Sequence, residues 1–151
     1  MKWFFFTFEN QTFQPMSTTA KNILGIVIGL AMAMTAFMLF ETIAHFAFPL
    51  PADVHINNAV SMKNYMNHIP AGALSLVLTG WLVGSILAGY FSHRISGNSS
   101  RRNPAIIGII LESATIFNFI LLPHPTWLIV VSLLLLIPAV FVGHYLFKSS
   151  K

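Results

Sequence analysis

Cysteine is absent from the 151 residues, and only 8% of them are charged, four as acids. Without thiols there is no disulfide exchange at a Cys-x-x-Cys motif, no thiolate metal site and no cysteine nucleophile. Soluble domains carry roughly 25% charged residues, so this chain cannot clothe a water-facing surface of ordinary kind. What it holds instead is 56% hydrophobic residues and a mean hydropathy of +0.74, the composition of a membrane protein.

Four segments supply the roughly 20 apolar residues that a spanning helix needs: 23 to 48, 71 to 92, 105 to 122 and 127 to 147. Each reads as a helix, because lipid offers no partner to an open sheet edge. Lys2 and Lys21 precede the first segment, Arg94, Arg101 and Arg102 join the second to the third, and Lys148 and Lys151 follow the fourth. Only Lys63 falls on the other side. The positive-inside rule then puts both termini in the cytoplasm and the loops at 49 to 70 and 123 to 126 outside. The expected fold is an all-α membrane protein, an up-and-down four-helix transmembrane bundle. Its lipid bilayer is the first partner, and the net charge of +4 is a topology signal that calls for no nucleic acid.

Residues 1 to 22 form an interfacial or flexible N-terminal segment, 23 to 147 the membrane domain and 148 to 151 a cytoplasmic tail. "MKWFFFTFENQTFQP" lacks the long apolar core and small-residue cleavage site of a secretory signal, so its aromatics are expected at the headgroup level. In the outer loop Ile56, Ala59, Val60, Met66 and Ile69 approximate helical spacing, which predicts a short helix lying on the bilayer. Gly25, Gly29 and Ala33 recur every fourth residue, as do Gly80, Gly84 and Ala88, the pattern of helices that approach closely in lipid. Pro138 removes a backbone donor inside the fourth span and is expected to bend it, freeing the carbonyl of Leu134.

Polar residues inside the spans carry the functional information. Glu41 and His45 in "FETIAHF" are one helical turn apart, close enough to pair. An ionised carboxylate at membrane depth costs at least a few kcal/mol, so Glu41 is expected to be paired with His45 or protonated. Glu112 has no basic residue one turn away, and Thr115 and Asn118 extend its polar stripe. These residues suggest a pocket open toward the outside, with Glu41, His45, Glu112 and Asn118 as ligand- or proton-binding groups.

His45, His55, His68 and His124 lie at or beyond the outer ends of the spans, together with Asp53. Imidazole and carboxylate suit a divalent metal such as zinc, although the spacing matches no known metal signature and His-Glu-x-x-His is absent. His93 and His144 sit near the opposite ends of their spans, where two facing imidazoles could hold a haem. Nothing in the sequence aligns them, and haem is disfavoured. No Ser-His-Asp constellation, phosphate loop or nucleotide fingerprint is present, which leans away from an enzyme.

From about Ser17 onward the chain resembles a group of small, uncharacterised bacterial four-span inner-membrane proteins. The matching stretches are "KNILGIVIGL", "GWLVGSILAGYFS", "FNFILLPHPTW" and "LLLLIPAVFVGHYL". The Leu-Pro-x-Pro-x-Trp turn is the most specific of them, and residues 1 to 15 fall outside the likeness, which makes Met16 an alternative start. The resemblance implies a multi-pass protein of the bacterial inner membrane and transfers no activity. Two readings of function follow. In the first, the bundle binds or passes a small solute, proton or metal ion through its polar pocket. In the second, the protein is a structural subunit or assembly factor of a larger membrane complex, or a homo-oligomer. A lipid-modifying enzyme using Glu41 and His45 as acid and base is the least supported.

Overall fold

A computed structural model describes residues 15–52, 54 and 58–146, and among these every regular element is helical. α1 is Thr18–Ala47, α2 Ala59–His68, α3 Ala71–Ser96, α4 Arg102–Leu121 and α5 Thr126–Leu146. The four longer helices are each long and apolar enough to cross a membrane. α2 occupies the loop where amphipathic spacing predicts a helix. Asn58 caps it by accepting the Val60 and Ser61 N–H groups, and Met66 is buried.

Helix ends follow local chemistry. α1 starts at Thr18, before the apolar run, because the Ser17 hydroxyl accepts the Ala20 N–H at 3.2 Å. It stops at Ala47, since Phe48 precedes Pro49 and leaves the helical region. α3 runs on to Ser96, where Gly97 takes a left-handed conformation with φ of 60° and donates its N–H to the His93 carbonyl. Pro104 fits within the first turn of α4, where no intrahelical donor is required. The turn after α4 holds Pro123 and Pro125, and the Pro125 carbonyl accepts the Leu128 and Ile129 N–H groups in the first turn of α5.

α3 is the central helix, packed against α1, α5 and α4. Its contact with α1 uses the two small-residue stripes face to face. A Cβ on Gly25 would lie 2.8 Å from the Ser92 carbonyl oxygen, one on Gly29 2.7 Å from that of Ala88, and one on Gly84 2.9 Å from that of Ala33. Gly80 receives Phe40, and Gly72 receives the Phe48 ring. Residue numbers rise along one helix as they fall along the other, so α1 and α3 are antiparallel. The stripes thus let the backbones touch where side chains would hold them apart, the arrangement that stabilises helix pairs in lipid.

Between α3 and α5 the approach is closer still. A Cβ on Gly89 would run into the Val140 carbonyl, and one on Gly143 into that of Ile86. α5 continues as helix through Pro138, and Leu134, whose carbonyl loses its donor there, is exposed. The centre is filled by Ala33, Ala88, Ile107, Leu111 and Val140, at least one residue from each long helix, with Ile26, Leu30 and Phe37 packed around them.

Gly29→Val forces branched carbon against the Ala88 carbonyl and is expected to cost about 1–3 kcal/mol, typical of overpacking. A lowered unfolding midpoint in detergent is the expected reading, and an unchanged midpoint would contradict this packing.

Candidate functional site

Glu41 and His45 both lie on the exposed side of α1. Glu41 follows Phe40, which is turned into α3 at Gly80, and His45 follows the buried Ala44. No hydrogen bond or ion pair joins the two side chains. With Met38, Thr42 and Phe46 they line a shallow groove of about 360 Å³ built from α1 alone. The sequence suggests instead a pocket enclosed by the bundle. The difference arises because the small-residue stripe turns a different face of α1 toward α3, leaving Glu41 and His45 on its exposed flank. The Thr42 hydroxyl donates to the Met38 carbonyl at 2.7 Å, so it is satisfied within the helix.

Glu112 stands apart from that groove, on α4. It is half-buried, and its Oε2 is enclosed with no hydrogen-bond partner. Thr115, one turn on, is buried, and Asn118 is half-buried with its carbonyl accepting the Leu122 N–H at the helix end. The stripe from Glu112 to Asn118 therefore faces inward for part of its width.

The histidines do not converge. His68 is exposed on α2, and its Nδ1 donates to the Asn64 carbonyl at 2.8 Å. The Nδ1 of His124 donates to the Leu122 carbonyl at 2.7 Å. A carbonyl only accepts, so Nδ1 carries a proton in each. Asp53 and His55 lie outside the described residues. Among the described residues no three His, Asp or Glu side chains come together as a metal site.

His124 has a packing role that its sequence context conceals. Its ring meets Phe119 edge-on with centroids 5.0 Å apart, and Phe119 in turn lies 6.0 Å from Trp81 on α3. The turn "LLPHPTW" is thus folded back onto α4 and tied through it to α3.

At the basic end of the bundle His93 and His144 do meet, with ring centroids 4.7 Å apart and planes at 78°. Direct edge-to-face contact leaves no slot for a macrocycle between two axial imidazoles, so this pair does not fit haem. The Gly89 and Gly143 contact brings α5 close enough to α3 for the rings to touch. His144 is fully buried and also meets Tyr145, whose hydroxyl accepts from Arg101 Nε at 3.2 Å.

Beside this pair is a cluster that periodicity did not single out. Asn22 Oδ1 accepts from both Asn98 Nδ2 and Asn103 Nδ2, each at 3.3 Å. Asn98 Oδ1 accepts the Ser100 N–H at 2.9 Å, and its carbonyl accepts from His93 Nδ1 at 3.2 Å. Asn103 is only 3% exposed. These residues border a cleft of about 480 Å³ between the start of α1, the 97–101 loop and the start of α4. Asn22 is 76 residues from Asn98 and 81 from Asn103, so the sequence gives no local signal; only the pairing of α1 with α3 brings Asn22 to the other two. Compared with known protein families, curated proteins and solved structures, the chain matches none of them.

Proposed function

We propose that this is a multi-pass protein of the bacterial inner membrane, with both termini cytoplasmic, acting as a subunit or assembly factor of a larger membrane complex. The carrying observation is the placement of Glu41 and His45 on the exposed face of α1 beside a core closed by Ala33, Ala88, Ile107, Leu111 and Val140. A conduit needs polar groups along its axis; here Glu41 and His45 are both exposed on the outer side of α1. On a membrane helix such groups are costly facing lipid and are commonly matched by partners, water or headgroups. A partner helix presenting a hydrogen-bonding group at the level of Glu41 and His45 would satisfy both. The excess of Lys and Arg at one end, and the resemblance to bacterial four-span proteins, support the location and orientation.

Solubilisation in mild detergent followed by mass measurement tests the subunit reading. A stable complex containing another chain is expected, weakened in Glu41→Gln and His45→Ala; a monomer or homo-oligomer alone would contradict it. The absence of cysteine makes orientation testable with single substitutions. With a membrane-impermeant maleimide, Asn64→Cys is expected to label in intact spheroplasts and Ser99→Cys only after lysis. The reverse pattern would invert the topology.

A second reading, binding of a proton or small solute, is favoured by the enclosed and unpartnered Oε2 of Glu112. On this reading Glu112→Gln abolishes proton uptake or solute binding by protein reconstituted in vesicles, and an unchanged signal would remove it.

A further inference from the structure

The cleft at the basic end offers hydrogen-bond donors in excess of acceptors. The Ser100 backbone N–H fixes Asn98 Oδ1 as an acceptor, which makes Asn98 Nδ2 a donor and so fixes Asn22 Oδ1 as the atom facing it. Asn103 Nδ2 takes the second lone pair of the same oxygen. Both acceptor positions of the Asn22 amide are then used, and its NH2 group makes no hydrogen bond among the described residues. Thr18 and Thr19 add hydroxyls at the rim. Arg101 is engaged by Tyr145, which leaves Arg102 as the cation bordering the cleft. No acid is among the described residues that line it.

A donor-rich, acid-free cleft with a guanidinium at its edge is built for an anion. Its walls add a second property. Ile23 and Ile106 border it and are 59% and 40% exposed, on helices whose large exposed side chains are mostly apolar. The cleft therefore joins a polar floor to the hydrocarbon-facing surface at the level where headgroups lie. Basic pockets between spanning helices at this depth take anionic headgroups.

We infer that the Asn22, Asn98 and Asn103 cleft binds a phosphate group of net negative charge, one with no cation attached to it, with Asn22 N–H and Arg102 as its donors and Ile23 and Ile106 receiving an attached acyl chain. Phosphatidylglycerol and inorganic phosphate share this chemistry, and experiment separates them.

The test is native mass spectrometry of the full chain in mild detergent, titrated with phosphatidylglycerol, phosphatidylcholine or inorganic phosphate. Adducts with phosphatidylglycerol are expected, at least tenfold weaker in Asn22→Asp, which sets a carboxylate against the anion, and several-fold weaker in Arg102→Gln. Arg102 is exposed and its guanidinium makes no internal hydrogen bond among the described residues, so that variant is expected to keep the wild-type unfolding midpoint. Competition by millimolar phosphate would assign the site to the soluble anion and keep its chemistry. Equal retention of phosphatidylcholine, or unchanged phosphatidylglycerol and phosphate binding in a folded Arg102→Gln protein, would overturn the inference.

Discussion

The backbone contact between α1 and α3 sets the rest of the molecule. In lipid no hydrophobic force pairs helices, so the pair forms where small residues let main chains touch. Gly25, Gly29 and Ala33 meet Ser92, Ala88 and Gly84 along one antiparallel seam. That seam decides which face of α1 is inside. Glu41 and His45 lie about 80° and about 120° around the helix from Ala33, at about 100° per residue, and are carried outward with it.

The same seam brings the start of α1 beside the end of α3. Asn22 can then reach Asn98 and Asn103, which fastens the 97–101 loop and the α4 terminus to α1. On the other side of α3, Gly89 and Gly143 allow α5 to press in until His144 meets His93. Polar side chains thus gather at the basic end of the bundle, while Ser85, Glu112 and Thr115 are isolated polar groups in an otherwise apolar middle. Ser132 obeys the same economy, its buried hydroxyl donating to the Leu128 carbonyl of its own helix.

Much of this was legible in the sequence. Long apolar runs marked the four longer helices, and the recurrence of small residues every fourth position marked the seam between the first two. Helix ends were less legible, because they depend on caps such as Ser17 and Gly97 that lie outside the apolar runs. The outward placement of Glu41 was recoverable in principle, by projecting it onto the same helical wheel as Gly29 and Ala33. Treating the Glu41 and His45 pair separately from that stripe led to an enclosed pocket. The asparagine cleft was not recoverable, since Asn22 and Asn103 are distant in sequence and each looks like an ordinary flanking residue. Gly89 and Gly143 were equally silent, as each is a lone glycine until α3 and α5 are placed together.

The facing of α1 is the central claim, and a disulfide tests it directly in a chain without native cysteine. A disulfide forms only when Cβ atoms come within about 3.5–4.5 Å. Phe40→Cys combined with Gly80→Cys, followed by oxidation and a maleimide mobility assay, is expected to close a bond and block labelling. Glu41→Cys combined with Gly80→Cys is expected to stay open and label fully. Closure of the second pair in place of the first would show that Glu41 faces α3, and would contradict the account.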